Sequence, residues 1–164
     1  MTTKTDNRAR ELAATHYSSI VQMLAAVTFD YARLRELREL DECEELAELE
    51  VTLDECKDEE EARQIIQDSP LEVQVRSDWS NVGEPLEASE FMLLLCIGEA
   101  DVRIVGGLNR GEPCSAWLEY RGQGTQWAQW FGASSDILCE YAYFFFGGWH
   151  HDQTNWSYPD DLDA

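Results

Sequence analysis

The chain has 164 residues, a net charge of −21, and 44% apolar and 11% aromatic residues. That length suits one domain with a real core, and the composition is too rich in apolar and aromatic side chains for a disordered acidic tail. A field this negative repels nucleic acid and anionic lipid and attracts basic protein surfaces, so direct nucleic-acid binding and membrane binding are not expected. Salt adaptation would also enrich acids, but it should spread them more evenly than they are spread here. The five cysteines are odd in number and show no C-x-x-C spacing, which reads as free thiols in a reducing compartment. The first ten residues, MTTKTDNRAR, hold no apolar leader, and the longest apolar run, 91–97, is seven residues. Neither a signal peptide nor a membrane span is expected, and the expected location is cytoplasmic.

Two halves differ in kind. Residues 1–69 contain no Gly and no Pro, whereas 70–164 hold all ten Gly, all four Pro and fifteen of the aromatics. The first half reads as helix. Ala13, Tyr17, Ile20, Leu24, Val27, Tyr31 and Leu34 recur at alternating steps of four and three, an apolar stripe on one long helix at about 6–39. Leu37 and Leu40 follow at steps of three and rotate off that stripe, which predicts a break near 38–43. A short helix at 42–50 and a third at 53–67 follow. Thr52 with Glu55 has the form of a capping box, and Ser69-Pro70 ends the run.

Residues 36–61 carry fourteen acids against two bases, Arg38 and Lys57. On a helical wheel Asp41, Glu44, Glu45 and Glu48 share a wedge of about 100°, opposite Cys43, Leu46 and Ala47. Like charges at i,i+4 cost a few tenths of a kcal/mol per pair, so something beyond local helix stability must favour keeping them.

The second half turns to period two. Leu71, Val73 and Val75 alternate with Glu72, Gln74 and Arg76, a half-buried strand. Residues 78–88 form a loop, and 91–97 read as a central strand covered on both faces. Strands over 101–107, 114–121 and 125–131 follow, joined by a turn at Asn109-Arg110-Gly111 and a tight hairpin at Gly122-Gln123-Gly124. Ser134-Ser135-Asp136 caps a last helix at about 135–146, apolar nearly all round and ended by Gly147-Gly148. The expected architecture is α+β: a helical N-terminal half, then a four- or five-stranded antiparallel sheet and one C-terminal helix. One domain covers 1–156 (1–69 helical and acidic, 70–156 sheet plus helix), followed by an acidic tail at 157–164.

No catalytic or metal-binding constellation emerges. His150-His151-Asp152 offers adjacent ligands that point apart on an extended chain, with no C-x-x-C or H-x-x-x-H spacing to complete a zinc site. The acidic run lacks the spacing of a calcium loop. Gly132-Ala133-Ser134-Ser135 lacks the closing Gly of G-x-S-x-G, and Glu55-Cys56-Lys57 has a nuclease-like form but falls in a predicted helix. His16 sits at the edge of the first helix's stripe. Trp117, Tyr120, Trp127 and Trp130 lie on two strands of one hairpin, so some share a face; core packing is the default reading, a protein-binding hot spot the alternative. An enzyme is not expected, and neither is a cofactor.

In size, charge, clustered acids and lack of catalytic residues, the chain resembles small acidic proteins with which phages and mobile elements block bacterial defence, the DNA-mimic antirestriction and anti-CRISPR proteins. That resemblance implies a non-enzymatic inhibitor that occupies the nucleic-acid-binding site of a defence nuclease or surveillance complex. On the residues themselves, Glu39, Asp41, Glu44, Glu45, Glu48, Asp54, Glu55, Asp58 and Glu59 are the candidates to pair with the Arg and Lys of such a basic nucleic-acid-binding partner. Acidic immunity or antitoxin-type proteins that bind a cognate basic toxin share these traits, and an intracellular adaptor using the aromatic face is a third reading. The aromatic terminal helix also leaves a homodimer open, because a helix packed on a sheet buries only part of its circumference.

Overall fold

The computed structural model describes residues 4–28 and 58–146. Its elements run α1 (Lys4–Val27), α2 (Glu59–Asp68), β1 (Glu72–Ser77), β2 (Ala88–Cys96), β3 (Ala100–Asn109), β4 (Glu112–Gly122), β5 (Ala128–Trp130) and α3 (Ser135–Phe146). The strands form one antiparallel sheet in the order β1-β2-β3-β4-β5, an uncrossed meander. The helices gather on one of its faces, α1 against β3 and β4, and α3 against β4. The fold is α+β.

The pleat explains the core. Leu93 faces Ile104 and Ile104 faces Leu118 across neighbouring strands, so all three project to the same side. They meet Ile20 of α1, Ile66 of α2, and Leu138, Tyr141 and Phe146 of α3 in one cluster. Each such side chain, taken fully out of water, contributes about 1.5–3 kcal/mol. Phe91 reaches Phe146 with ring centroids 5.2 Å apart, and it does so over Gly106, its neighbour on β3. A Cβ at 106 would lie 2.6 Å from Phe91 Cε1 and would overlap the Ser115 carbonyl oxygen.

On α1 the predicted stripe is the packed one: Ala13 and Ile20 are buried, and Tyr17, Leu24 and Val27 are partly buried against the same core. Tyr17 also ties the helix to the segment between β5 and α3, its ring tilted against Trp130 at 5.4 Å and its hydroxyl accepting a bond from the Ser134 amide at 3.2 Å. The expected continuation to 39, the break near 38–43 and the helix at 42–50 lie outside the described residues.

The third predicted helix needs a correction. Residue 58 is not helical: Asp58 is extended (φ −154°, ψ 174°) and its carboxylate accepts the Glu61 amide at 2.8 Å. The helix therefore starts at Glu59 rather than at 53. Asp58 and Glu61 have the D-x-x-E spacing of a cap, and three acids in the first turn suit the positive end of the helix dipole. The Thr52–Glu55 pair lies outside the described residues. Ala62 and Ile66 bury the inner side of α2.

Three strand expectations are also revised. β1 is the outermost strand, so Leu71 and Val73 stay exposed (62% and 42%) while Val75 alone of the three is half-buried. Among the described residues β2 is covered on one face only: Phe91, Leu93 and Leu95 are buried, whereas Met92 and Leu94 are half-exposed on the opposite side. β5 is three residues rather than seven. Thr125 bonds back to the Gly122 carbonyl through both its amide (3.1 Å) and its hydroxyl (2.9 Å), so pairing resumes only where Ala128 faces Tyr120. On α3, Leu138, Tyr141, Ala142, Phe145 and Phe146 are buried and Arg63 of α2 lies 5.9 Å from the Phe144 ring centroid. Among the described residues the aromatic patch expected on this helix is reduced to Tyr143, half exposed, beside the partly buried Phe144.

Candidate interaction surface

Of the nine carboxylates predicted to bind a partner, Glu39, Asp41, Glu44, Glu45, Glu48, Asp54 and Glu55 lie outside the described residues. The two that are described have local work. Asp58 caps α2, and Glu59 pairs with Arg63 one turn on at 3.1 Å. Both remain exposed. The structure thus places the end of the acidic run on a helix seated in the core by Ala62 and Ile66.

The sheet face opposite the helices is a second surface, of which the sequence pointed only to the tryptophans. Three arginines stand there, each opposed across strands by an acid. Arg76 of β1 bonds Glu90 of β2, Arg103 of β3 bonds Glu119 of β4 at 2.8 Å, and Arg121 of β4 bonds Asp101 of β3 at 2.7 Å. Burial raises the Asp101 pKa, but the Arg121 hydrogen bond, the Gly98 amide and the Arg121 charge together carry it below the usual carboxylate value. Glu90 is lowered by its bond to Arg76. The Trp127 ring lies over both central guanidiniums, 4.0 Å from Arg103 and 4.4 Å from Arg121, a doubled cation–π contact. Trp117 donates its indole N–H to Glu119 at 3.3 Å.

Between these pairs runs an open groove of about 390 Å³. Met92, Val105 and Trp117 line it together with the Arg76–Glu90 and Arg103–Glu119 pairs. Its chemistry is amphipathic and close to charge balance, in a chain that is elsewhere strongly negative. The hairpin aromatics are therefore divided: Tyr120 and Trp130 pack against the core, and Trp117 and Trp127 belong to the open face. The signal available in the sequence was one arginine on each of three strands of an acidic chain, at positions of the polar alternation. Which acid stands opposite each one depends on register, and period two does not encode register.

Groups capable of other chemistry sit apart. His16 is partly buried and its pKa is lowered by that burial. Cys96, Cys114 and Cys139 are free, and burial raises the thiols of Cys96 and Cys139. No group of three His, Cys, Asp or Glu side chains placed to hold a metal occurs among the described residues. None of the described helices is long and apolar enough to cross a membrane. No protein-family model, curated protein or solved structure matches this chain.

Proposed function

We propose that the chain is a non-enzymatic inhibitor that uses dense carboxylates to occupy the nucleic-acid-binding surface of a basic protein, such as a bacterial defence nuclease or surveillance complex. The observation that carries this reading is the concentration of fourteen acids in residues 36–61 of a chain with net charge −21. One strand of duplex DNA carries a phosphate about every 3.4 Å, a density that closely spaced carboxylates can imitate. The seating of α2 on the core supports the reading, because it gives one end of the acidic run a fixed position. Arg and Lys that normally contact phosphate would pair with Glu39, Asp41, Glu44, Glu45, Glu48, Asp54 and Glu55, with Asp58 and Glu59 at the margin.

The test is capture of basic nucleic-acid-binding proteins by the tagged chain, with duplex DNA as competitor. Capture should fall steeply between low and physiological salt, fall with added duplex, and vanish on reversing Asp41, Glu45 and Glu48 to Lys. Capture that is flat with salt and survives that reversal overturns the reading. A second reading, an adaptor that binds through its aromatic face, is favoured by Trp117 and Trp127 both belonging to the open sheet face, one lining the groove and the other over its arginines. It predicts the reverse pattern: loss of capture in W117A/W127A and indifference to the charge reversal.

A further inference from the structure

The outer edge of β1 carries a strand whose side chains complement a second copy of themselves. β1 pairs only with β2, so its other side is a free edge among the described residues. Such an edge is a template for another strand, and proteins commonly protect it with prolines, bulges or clashing charge. Here no proline falls within Glu72–Ser77, the irregularity sits at the far end between Arg76 and Ser77, and the charges are of opposite sign.

Antiparallel pairing of two copies about a two-fold axis sets residue i against residue j with a constant sum, and opposed residues must share a face, so that sum is even. Three registers centre the strand. With Val73 opposite itself, Arg76 faces Pro70 and gains no partner. With Val75 opposite itself, Glu72 faces Asp78, an acid against an acid. With Gln74 opposite itself, Glu72 of each copy faces Arg76 of the other, and Val73 of each copy faces Val75 of the other. The last register forms two ion pairs on the open face and two valine pairs on the helix face, where Val73 is now 42% exposed.

Two further features fit that register. Trp79, wholly exposed, leaves the strand two residues after Ser77 and would emerge beside Leu71 of the second copy, itself 62% exposed. The groove on the open face is bounded on the β1 side by Gln74 and Arg76, so the second copy's Glu72 would stand at its rim.

We infer that this protein self-associates through β1 into a two-fold dimer with one continuous ten-stranded sheet, in the register that places Glu72 against Arg76 of the second copy. This assembly uses the strand edge, not the terminal helix, and it does not depend on the inhibitor reading. A six-residue strand pair with one tryptophan buries less than the roughly 1,000 Å² expected of a tight interface, so the dimer is weak, and charge repulsion between the copies makes it tighten with salt.

Sedimentation equilibrium on the full chain, at about 100 µM and in about 0.5 M salt to screen the net charge, tests it. Wild type should sediment as a dimer. E72R alone places Arg against Arg, and R76E alone places Glu against Glu, so each should fall to monomer at least tenfold more readily. An equimolar mixture of the two restores opposite charges at both positions and should recover the dimer mass as a heterodimer. W79A, a loop change away from the ladder, should weaken the dimer severalfold, and unchanged circular dichroism confirms that every variant is folded. A monomeric wild type overturns the inference. So does a dimer that persists in both single variants, or a loss of association that mixing does not reverse.

Discussion

On one side of the sheet Leu93, Ile104 and Leu118 stand on neighbouring strands beneath the helices, while one residue along each strand Met92, Val105 and Trp117 face away from them. The two rows come from the same strands in the same register. The first is held by removal of apolar surface from water; around the second stand the cross-strand pairs of arginine with acid and Trp127 over two guanidiniums. The difference separates what holds the fold from what is free to recognise something. Burial on the covered face contributes kilocalories per residue, whereas exposed or half-exposed pairs contribute tenths to about one.

The sharpest way to break this contrast is to remove a buried side chain. Leu118→Ala should cost about 2–5 kcal/mol, because Leu118 is fully buried between sheet and helices and a cavity remains. Urea unfolding measures it, and a loss below about 1 kcal/mol would mean the helices do not pack on the sheet as described. The next effect is chemical. Burial pushes the Tyr141 phenol up to about 12, against the smaller opposing pull of its hydrogen bond with Ser69. The folded pKa lies above the unfolded one near 10, so the neutral phenol's contribution is complete below about pH 10 and is lost as pH rises toward 12. At about 1.4 kcal/mol per pKa unit the loss is of order 3 kcal/mol. Tyr141→Phe should flatten that alkaline decline, and an unchanged slope would refute the assignment. The smallest effect belongs to the open face: Trp127→Ala removes both cation–π contacts and should cost about 1 kcal/mol, with far-UV circular dichroism unchanged.

The same contrast marks what the sequence made legible. The α1 stripe, the meander, the Asn109-Arg110-Gly111 turn with Arg110 and Gly111 at φ 53° and 80°, and the helix at Ser135–Phe146 all follow from local pattern. What failed was non-local. The alternation of Leu71, Val73 and Val75 says that they share a face, but only strand order reveals that β1 is at the rim and leaves Leu71 and Val73 bare. The run 91–97 reads as covered on both sides because Met92 and Leu94 are apolar, yet among the described residues no helix packs over them. Asp58 and Thr52 both carry capping patterns, and the observed start of α2 at Glu59 follows the Asp58 carboxylate on the Glu61 amide. Of the candidate carboxylates, Asp58 and Glu59 are the two whose positions the structure describes, and the Arg–acid ladder of the open face depends on register.

The absent side chain at Gly106 has a consequence for divergence. Phe91 occupies the space above Gly106, and the Ser115 carbonyl oxygen blocks it from the neighbouring strand. Shrinking Phe91 would clear only the first obstacle; the second is backbone and moves only if β3 and β4 separate. Position 91 can therefore drift among apolar residues while 106 stays fixed, and the two need not change together. In any lineage that keeps this sheet, glycine at 106 should outlast the acidic residues, whose charge can be redistributed without altering the ladder beneath them.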